Sequence, residues 1–134
     1  FVRHMIAFRK SHAYAFAPSS YDDRAPFSYK APDNSENPQW GGKQLLMHYY
    51  DDTWGPELAI LINQSPDWVT FTLPENRSWS LRVDTQSYYD DETYLGAEDR
   101  DRSRTHNFVA QGPMYALGTY DVAPRSFVIF EDVD

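Results

Sequence analysis

The sequence contains no cysteine among its 134 residues. This excludes a disulfide framework, a thiolate metal site and a cysteine nucleophile. Its apolar runs are much shorter than the roughly 18 residues that a membrane-spanning helix needs. It also lacks a basic and then apolar leader with a small-residue cleavage site. Together these absences predict a cytoplasmic protein without a membrane partner.

Basic residues are scarce relative to acidic ones. Lys and Arg number 12 against 20 for Asp and Glu, which gives a formal net charge of −8. Phosphate backbones and anionic lipids repel a chain this acidic, so we do not expect a nucleic-acid partner. A hydrophobic share of 41% and an aromatic share of 16% are too high for a disordered chain. The length predicts one folded domain.

Residues 1–12 have the spacing of an amphipathic helix. Phe1, Met5 and Phe8 fall on one stripe. Basic side chains follow in the last turn, where the negative end of the helix dipole favours them. The apolar pattern begins without a capping residue or an initiator Met, so we expect the helix to belong to a longer polypeptide.

Residues 13–39 contain four prolines among small and polar side chains. Proline removes a backbone donor and fixes φ, so the segment is expected to be an irregular connector without regular elements. Aromatic side chains within it are expected to hold it in place.

From residue 40 onward the pattern changes to strands separated by turn residues. Alternating or continuous apolar positions predict strands at 44–50, 58–63, 69–73 and 79–83, near 108, and at 114–117, 118–122 and 126–131. The close spacing favours an antiparallel meander, and residues 86–107 have the mixed charge of an exposed loop. The predicted fold is mainly β: an antiparallel β-sandwich, preceded by a short N-terminal helix and the irregular connector.

Several segments, in order, resemble the C-terminal region of the α-amylase superfamily, glycoside hydrolase family 13. The likeness is greatest to glycogen-debranching and isoamylase-type enzymes. The residues that carry it are FVRHMIAFRKSH at 1–12, LAILIN at 58–63, VTFTLP at 69–74, WSLRVDT at 79–85 and YDVAPRSFVIF at 120–130.

The resemblance implies a division of the chain into three parts. Residues 1–12 would be the remnant of the last helix of a (β/α)8 barrel, 13–39 the Pro-rich connector, and 40–134 the C-terminal β-sandwich domain. The family's catalytic Asp, Glu and second Asp lie upstream of that helix, so the resemblance implies that this chain carries no catalytic residue.

The function implied is that of a non-catalytic β-domain which stabilises the catalytic barrel of a glycogen-debranching α-1,6-glucosidase in glycogen or starch metabolism. The parent protein would be an O-glycosyl hydrolase, whereas this chain alone would not be an enzyme. The upstream barrel would be its partner. A stand-alone α-glucan-binding module and a protein-interaction domain remain as alternatives.

Trp40 and Trp54 are the candidate carbohydrate-binding residues. Sugar rings present flat C–H faces that stack on aromatic planes. Trp40 precedes two glycines and Trp54 lies in a loop before Gly55, so both are expected to be exposed. Trp79 alternates with core positions and is expected to be buried.

No other group of residues predicts chemistry, a metal site or a cofactor. The acidic pairs fall in loops, where solvated carboxylates are expected, and adjacent strand residues point to opposite faces. The histidines lack metal-ligand spacing and are expected at the surface or at helix caps. The acidic pairs are Asp22-Asp23, Asp51-Asp52 and Asp90-Asp91, and the histidines are His4, His12, His48 and His106.

Overall fold

A computed structural model describes residues 2–16, 25–85, 115–116 and 118–133 of the chain. Phe1, the charged loop 86–107 and the strand expected near residue 108 lie outside the described residues. The described part is mainly β, with antiparallel sheets and a helical N-terminus, as the sequence predicts. Its helices are α1 (Val2–Ser11) and α2 (Ala13–Phe16), and its strands are β1 (Phe27–Lys30), β2 (Gln44–Tyr49), β3 (Leu58–Asn63), β4 (Val69–Thr72), β5 (Trp79–Asp84), β6 (Tyr115–Ala116), β7 (Thr119–Val122) and β8 (Ser126–Asp132).

The strands form a six-stranded sheet in the order β1-β2-β3-β8-β5-β6 and a two-stranded sheet of β4 and β7. The predicted meander is therefore wrong. β3 pairs with β8 and not with β4, which follows it in the chain. Turn residues indicate where strands end, but β3 and β8 are apolar on both faces, and such strands take interior places in a sheet. The sandwich arrangement of the two sheets stays a prediction.

Alternation along the central strands separates two apolar clusters. Leu58 and Ile60 of β3 pack with Phe8 of α1, and we call this side of the large sheet the helix face. Ala59 and Leu61 point the other way and pack with residues of β4 and β7, which defines the β4–β7 face. This follows from the period of two in a strand.

A β-bulge in β5 places a charged residue on the helix face. Leu81 pairs with Phe130 and Val83 with Ile129, so Arg82 is the extra residue between them. A bulge of this kind re-aims a side chain. The Arg82 guanidinium accordingly lies 5.8 Å from the centre of the Phe8 ring on the helix face.

The expectation that residues 13–39 contain no regular element is wrong. α2 and β1 both lie in this range, and β1 pairs with β2 from Phe27↔Tyr49 to Lys30↔Leu46. Pro26 and Pro32 flank β1 and lie outside it. The N–H groups that prolines lack are therefore not needed for the hydrogen bonds between β1 and β2. The ring centroids of Phe27 and Tyr49 are 5.2 Å apart, which agrees with an aromatic side chain holding this segment.

Asn63, at the end of β3, joins the two sheets through its side chain. Its Nδ2 donates to the carbonyls of Asp67, Val122 and Ala123 at 2.8–3.1 Å. Its Oδ1 accepts from the backbone N–H and the hydroxyl of Ser65. The residue is fully buried, so its amide replaces water for all of these groups.

We therefore expect Asn63→Ala to lower the free energy of unfolding by about 2–4 kcal/mol, because buried backbone groups would lose their partners. The exposed Asn37 provides the control: Asn37→Ala should change stability by less than about 0.5 kcal/mol. Urea denaturation of both variants measures the difference. Equal effects would show that the Asn63 amide does not hold the sheets together.

Candidate functional sites

The structure places the predicted carbohydrate-binding tryptophans at opposite ends of the large sheet. Trp40 is 70% exposed and Trp54 is 44% exposed, whereas Trp79 is 2% exposed. The prediction of their exposure is confirmed. β2 lies between the two exposed residues, and its six residues rise by roughly 3.3 Å each, so one short glycan segment does not reach both rings.

Trp54 lies in a loop that is fastened to α2. Tyr14 donates from its hydroxyl to the Pro56 carbonyl at 2.6 Å. A Cβ at Gly55 would stand 2.6 Å from Cε1 of the Tyr14 ring, so this close approach requires glycine. Burial raises the pKa of Tyr14, with a further contribution from Glu131. These contacts give the Trp54 loop a structural role.

Trp40 stands at a shallow pocket with amide side chains. The pocket has a volume of about 250 Å³, and its lining includes Gln39, Lys43, Gln44 and Gln64. The Trp40 ring meets Tyr29 edge to face, with centroids 5.2 Å apart and planes at 78°. We call this the Trp40 pocket.

An apolar groove lies on the helix face, between α1 and the large sheet. Its volume is about 490 Å³, and Ile6 at its edge is 49% exposed. Arg9 is the charged residue at this groove, which we call the helix-face groove. Its other lining residues are apolar and come from α1, α2, β3 and β8: Met5, Ile6, Phe8, Phe16, Ile60, Phe127 and Ile129.

On the helix face, a hydrogen-bonded pair joins the residue that follows α1 to β8. The His12 Nδ1 lies 2.8 Å from the Phe8 carbonyl, and its Nε2 contacts the Glu131 carboxylate. This hydrogen bond holds the pKa of Glu131 below its ordinary value. The Arg82 guanidinium lies 3.7 Å from the Glu131 carboxylate.

A second polar cluster lies on the β4–β7 face. His48 of β2 holds Glu57 through Nε2 at 2.9 Å, and Glu57 also pairs with Arg77. Nε of Arg77 lies 3.6 Å from the Asp132 carboxylate. Burial raises the pKa of Glu57, and Arg77 opposes that effect. Together these four residues form what we call the His48 cluster.

The His48 ring is held neutral by its surroundings. Burial lowers its pKa to about 4, and Lys30 and Arg77 add to the effect. A neutral ring that donates from Nε2 to Glu57 leaves Nδ1 without a proton, and this nitrogen is buried without a hydrogen-bond partner. Protonation would bury an unsatisfied N–H, which agrees with the lowered pKa.

The expectation of a surface or capping position is wrong for His48, which is buried within β2. His12 is also buried, but it directly follows α1 and its ring contacts the Phe8 carbonyl of the last turn, as a capping residue does. The sequence contained a signal for each. His48 falls two residues after Leu46 in a strand and so shares its buried face. His12 falls four residues after Phe8, on the apolar side of α1. The His4 side chain and His106 lie outside the described structure.

Asp84 and Asp51 both have hydrogen-bond partners within the protein. Tyr120 donates to Asp84 Oδ2 at 2.6 Å, and burial raises the pKa of this tyrosine. In the loop predicted to be solvated, Asp51 accepts from the Thr53 N–H at 2.9 Å, and hydrogen bonding to the Thr53 side chain and backbone lowers the pKa of Asp51. Asp22-Asp23 and Asp90-Asp91 lie outside the described residues. Within the described ranges, no group of three or more His, Asp or Glu side chains is placed to hold a metal ion.

No family model matches the sequence, and no curated protein matches it. In the described ranges, no helix combines the length and the apolar character that crossing a bilayer requires.

The lowered pKa of His48 predicts a pH-dependent stability. In the unfolded chain its pKa returns to about 6.5, so its contribution is complete above pH 6.5 and is lost as the pH falls towards 4. His48→Gln keeps a donor near Glu57 but does not titrate. The stability difference between the native protein and this variant should therefore change by roughly 3 kcal/mol between pH 7 and pH 4. Chemical denaturation across this pH range measures it, and a constant difference would contradict the neutral ring.

Proposed function

We propose that this chain is the non-catalytic C-terminal β-domain of a glycogen-debranching, isoamylase-like glycoside hydrolase, and that it stabilises the catalytic barrel by docking through its helix face. The observation that carries the docking is the helix-face groove. The resemblance described above supplies the identity of the docked domain.

The two faces of the large sheet are covered to different extents. On the β4–β7 face, Phe71, Val122 and Phe130 are fully buried. On the helix face, α1 buries its own Phe8 against the sheet, but among the described residues nothing covers its exposed Ile6 beside the groove. Full burial of an aliphatic side chain contributes roughly 1.5–3 kcal/mol, so covering this groove would stabilise an interface.

The groove's lining favours a protein surface over a glycan as its occupant. Met5, Phe16 and Phe127 offer no hydrogen bonds to sugar hydroxyls, and Arg9 provides a charged rim. An apolar centre with a polar edge is the usual composition of a domain interface.

The carboxylates of the described core support a non-catalytic role. Glu57, Asp84 and Glu131 are held by Arg77, Tyr120 and His12 respectively. A glycosidase needs two carboxyl groups that face the same bond from a substrate cleft. Glu131 lies on the helix face, and Glu57 and Asp84 point to the β4–β7 face, where they contact protein groups.

A stand-alone α-glucan-binding module is the second candidate function. The observation in its favour is the exposed indole of Trp40 beside the amides of its pocket. This candidate does not account for the helix-face groove.

The docking proposal predicts that the effect of Ile6→Glu on stability depends on whether the barrel is present. In the polypeptide that contains the barrel, this substitution should lower stability by about 2 kcal/mol, because it places a charge in the interface. In the 134-residue chain alone it should change stability by less than about 0.5 kcal/mol, because Ile6 is exposed there.

Val133→Glu is the matched control, since Val133 is also an aliphatic residue and is 44% exposed. It should have little effect in either context. Thermal unfolding of the two proteins measures both variants. An Ile6→Glu effect that is equally small in both contexts would exclude docking through the helix face.

The proposal also predicts where the hydrolytic activity lies. The reading frame upstream of the Phe1 codon should encode a barrel that carries the family's catalytic Asp and Glu. The polypeptide with this barrel should release linear chains from amylopectin, as measured by new reducing ends, and the chain alone should release none. Release by the chain alone, or an unrelated upstream domain, would overturn the proposal.

A further inference from the structure

We propose that the Trp40 pocket is a binding subsite for one neutral hexopyranosyl unit of an oligosaccharide. This inference rests on the proposed function only for the source of the sugar, an α-glucan. The residues of the pocket supply the recognition chemistry itself.

The indole of Trp40 is a platform that is both exposed and oriented. It keeps 70% of its surface in solvent while Tyr29 of β1 holds one side of it edge to face. An aromatic ring this exposed gains free energy when an apolar surface covers it. The C–H face of a pyranose ring is such a surface, and its hydroxyl groups remain at the periphery of the stack.

The backbone fixes one wall of the pocket through a tight turn. The Gly42 N–H donates to the Gln39 carbonyl at 2.8 Å, which closes the chain around Trp40. A Cβ at Gly42 would stand 3.0 Å from that carbonyl oxygen and 3.7 Å from Oε1 of Gln44. Glycine at position 42 therefore allows the turn to close, with Gln39 before it and Gln44 after it in the chain.

A second backbone contact fixes the opposite wall. The Gln64 N–H, just after β3, donates to the Lys43 carbonyl at 2.7 Å. Leu45 and Ile62, which pair across β2 and β3, provide an apolar floor between the walls. The pocket is thus built on paired strands, although its rim is formed by loops.

The polar lining suits hydroxyl groups better than ions. Gln39, Gln44 and Gln64 each carry an amide that both donates and accepts, as a sugar hydroxyl does. Among the residues that the structure describes, Lys43 is the one ionisable residue of the lining, and no carboxylate takes part. A phosphate or sulfate site would need more cations than this, because an anion must be compensated as it loses water.

The pocket lies at the end of the surface that the proposed function assigns to docking. Leu45 and Ile62 belong to the helix face, and Ile62 is two residues beyond Ile60 of the helix-face groove. A sugar on Trp40 would therefore sit at the rim of a domain docked on that face. In this position the subsite would hold a branch of the substrate next to the barrel.

The volume of the Trp40 pocket, about 250 Å³, is close to the lower end of ligand pockets and suits a single sugar unit.

The test is isothermal titration of the whole chain with maltoheptaose and, separately, with cellohexaose. Trp40→Ala should weaken binding about tenfold or more, because the stacking surface is lost. Trp68→Ala is the matched control: Trp68 is 61% exposed and follows β3 at the same end of the sheet, but it does not line the pocket. It should leave the affinity within about twofold. Circular dichroism verifies that each variant is folded.

The outcomes separate this inference from the proposed function. Binding of maltoheptaose that depends on Trp40 supports both the subsite and its α-glucan source. Binding of cellohexaose alone, again dependent on Trp40, supports a neutral-sugar subsite but contradicts that source. No binding of either sugar, or equal losses in the Trp40 and Trp68 variants, overturns the subsite and leaves the docking test with Ile6→Glu unaffected.

Discussion

Strands β3 and β8 carry apolar side chains on both of their faces, and the rest of the structure depends on covering them. Each lies between two other strands, so their backbone groups are paired within the large sheet. Their side chains still require cover from above and below. On one side β4 and β7 provide it, and on the other α1 provides it around Phe8. The same requirement accounts for the apolar lining of the helix-face groove.

Polar side chains at one end of the sheet connect these layers. Glu131 and Asp132 are adjacent on β8 and point to opposite faces, so each meets a different set of basic side chains. Glu131 pairs with His12 beneath α1, and Asp132 lies near Arg77 in the His48 cluster. Removing one partner from such a buried pair leaves an uncompensated charge, which is strongly destabilising. These clusters therefore fix how the helix and the loops contact the sheet. Their carboxylates are held by these contacts within the protein.

The two proposals use different parts of the helix face. The groove beside Ile6 is apolar and suits a protein surface, whereas the Trp40 pocket combines an exposed ring with amides and suits a sugar. The first would fasten the β-domain to a barrel, and the second would bring a glycan to the edge of that contact. The opposite placement of Trp54, whose loop is fastened by Tyr14, separates it from this arrangement.

The sequence by itself determined most of the described strands and the chemical character of the chain. The short continuous apolar runs within 58–63 and 126–131 predict strands, and the turn residues between strands predict where they end. It also predicted that Trp40 is exposed and that Trp79 is buried, because local alternation and neighbouring glycines carry that information. Only the tertiary structure decided that β3 lies beside β8 and that β1 forms within a proline-rich segment. It also decided that His48 and Glu57 meet Arg77 and that Gln39 and Gln64 share one pocket with Trp40. The physical reason is that alternation fixes which face a side chain occupies, whereas strand pairing and the meeting of distant loops depend on how all the apolar faces are covered at once.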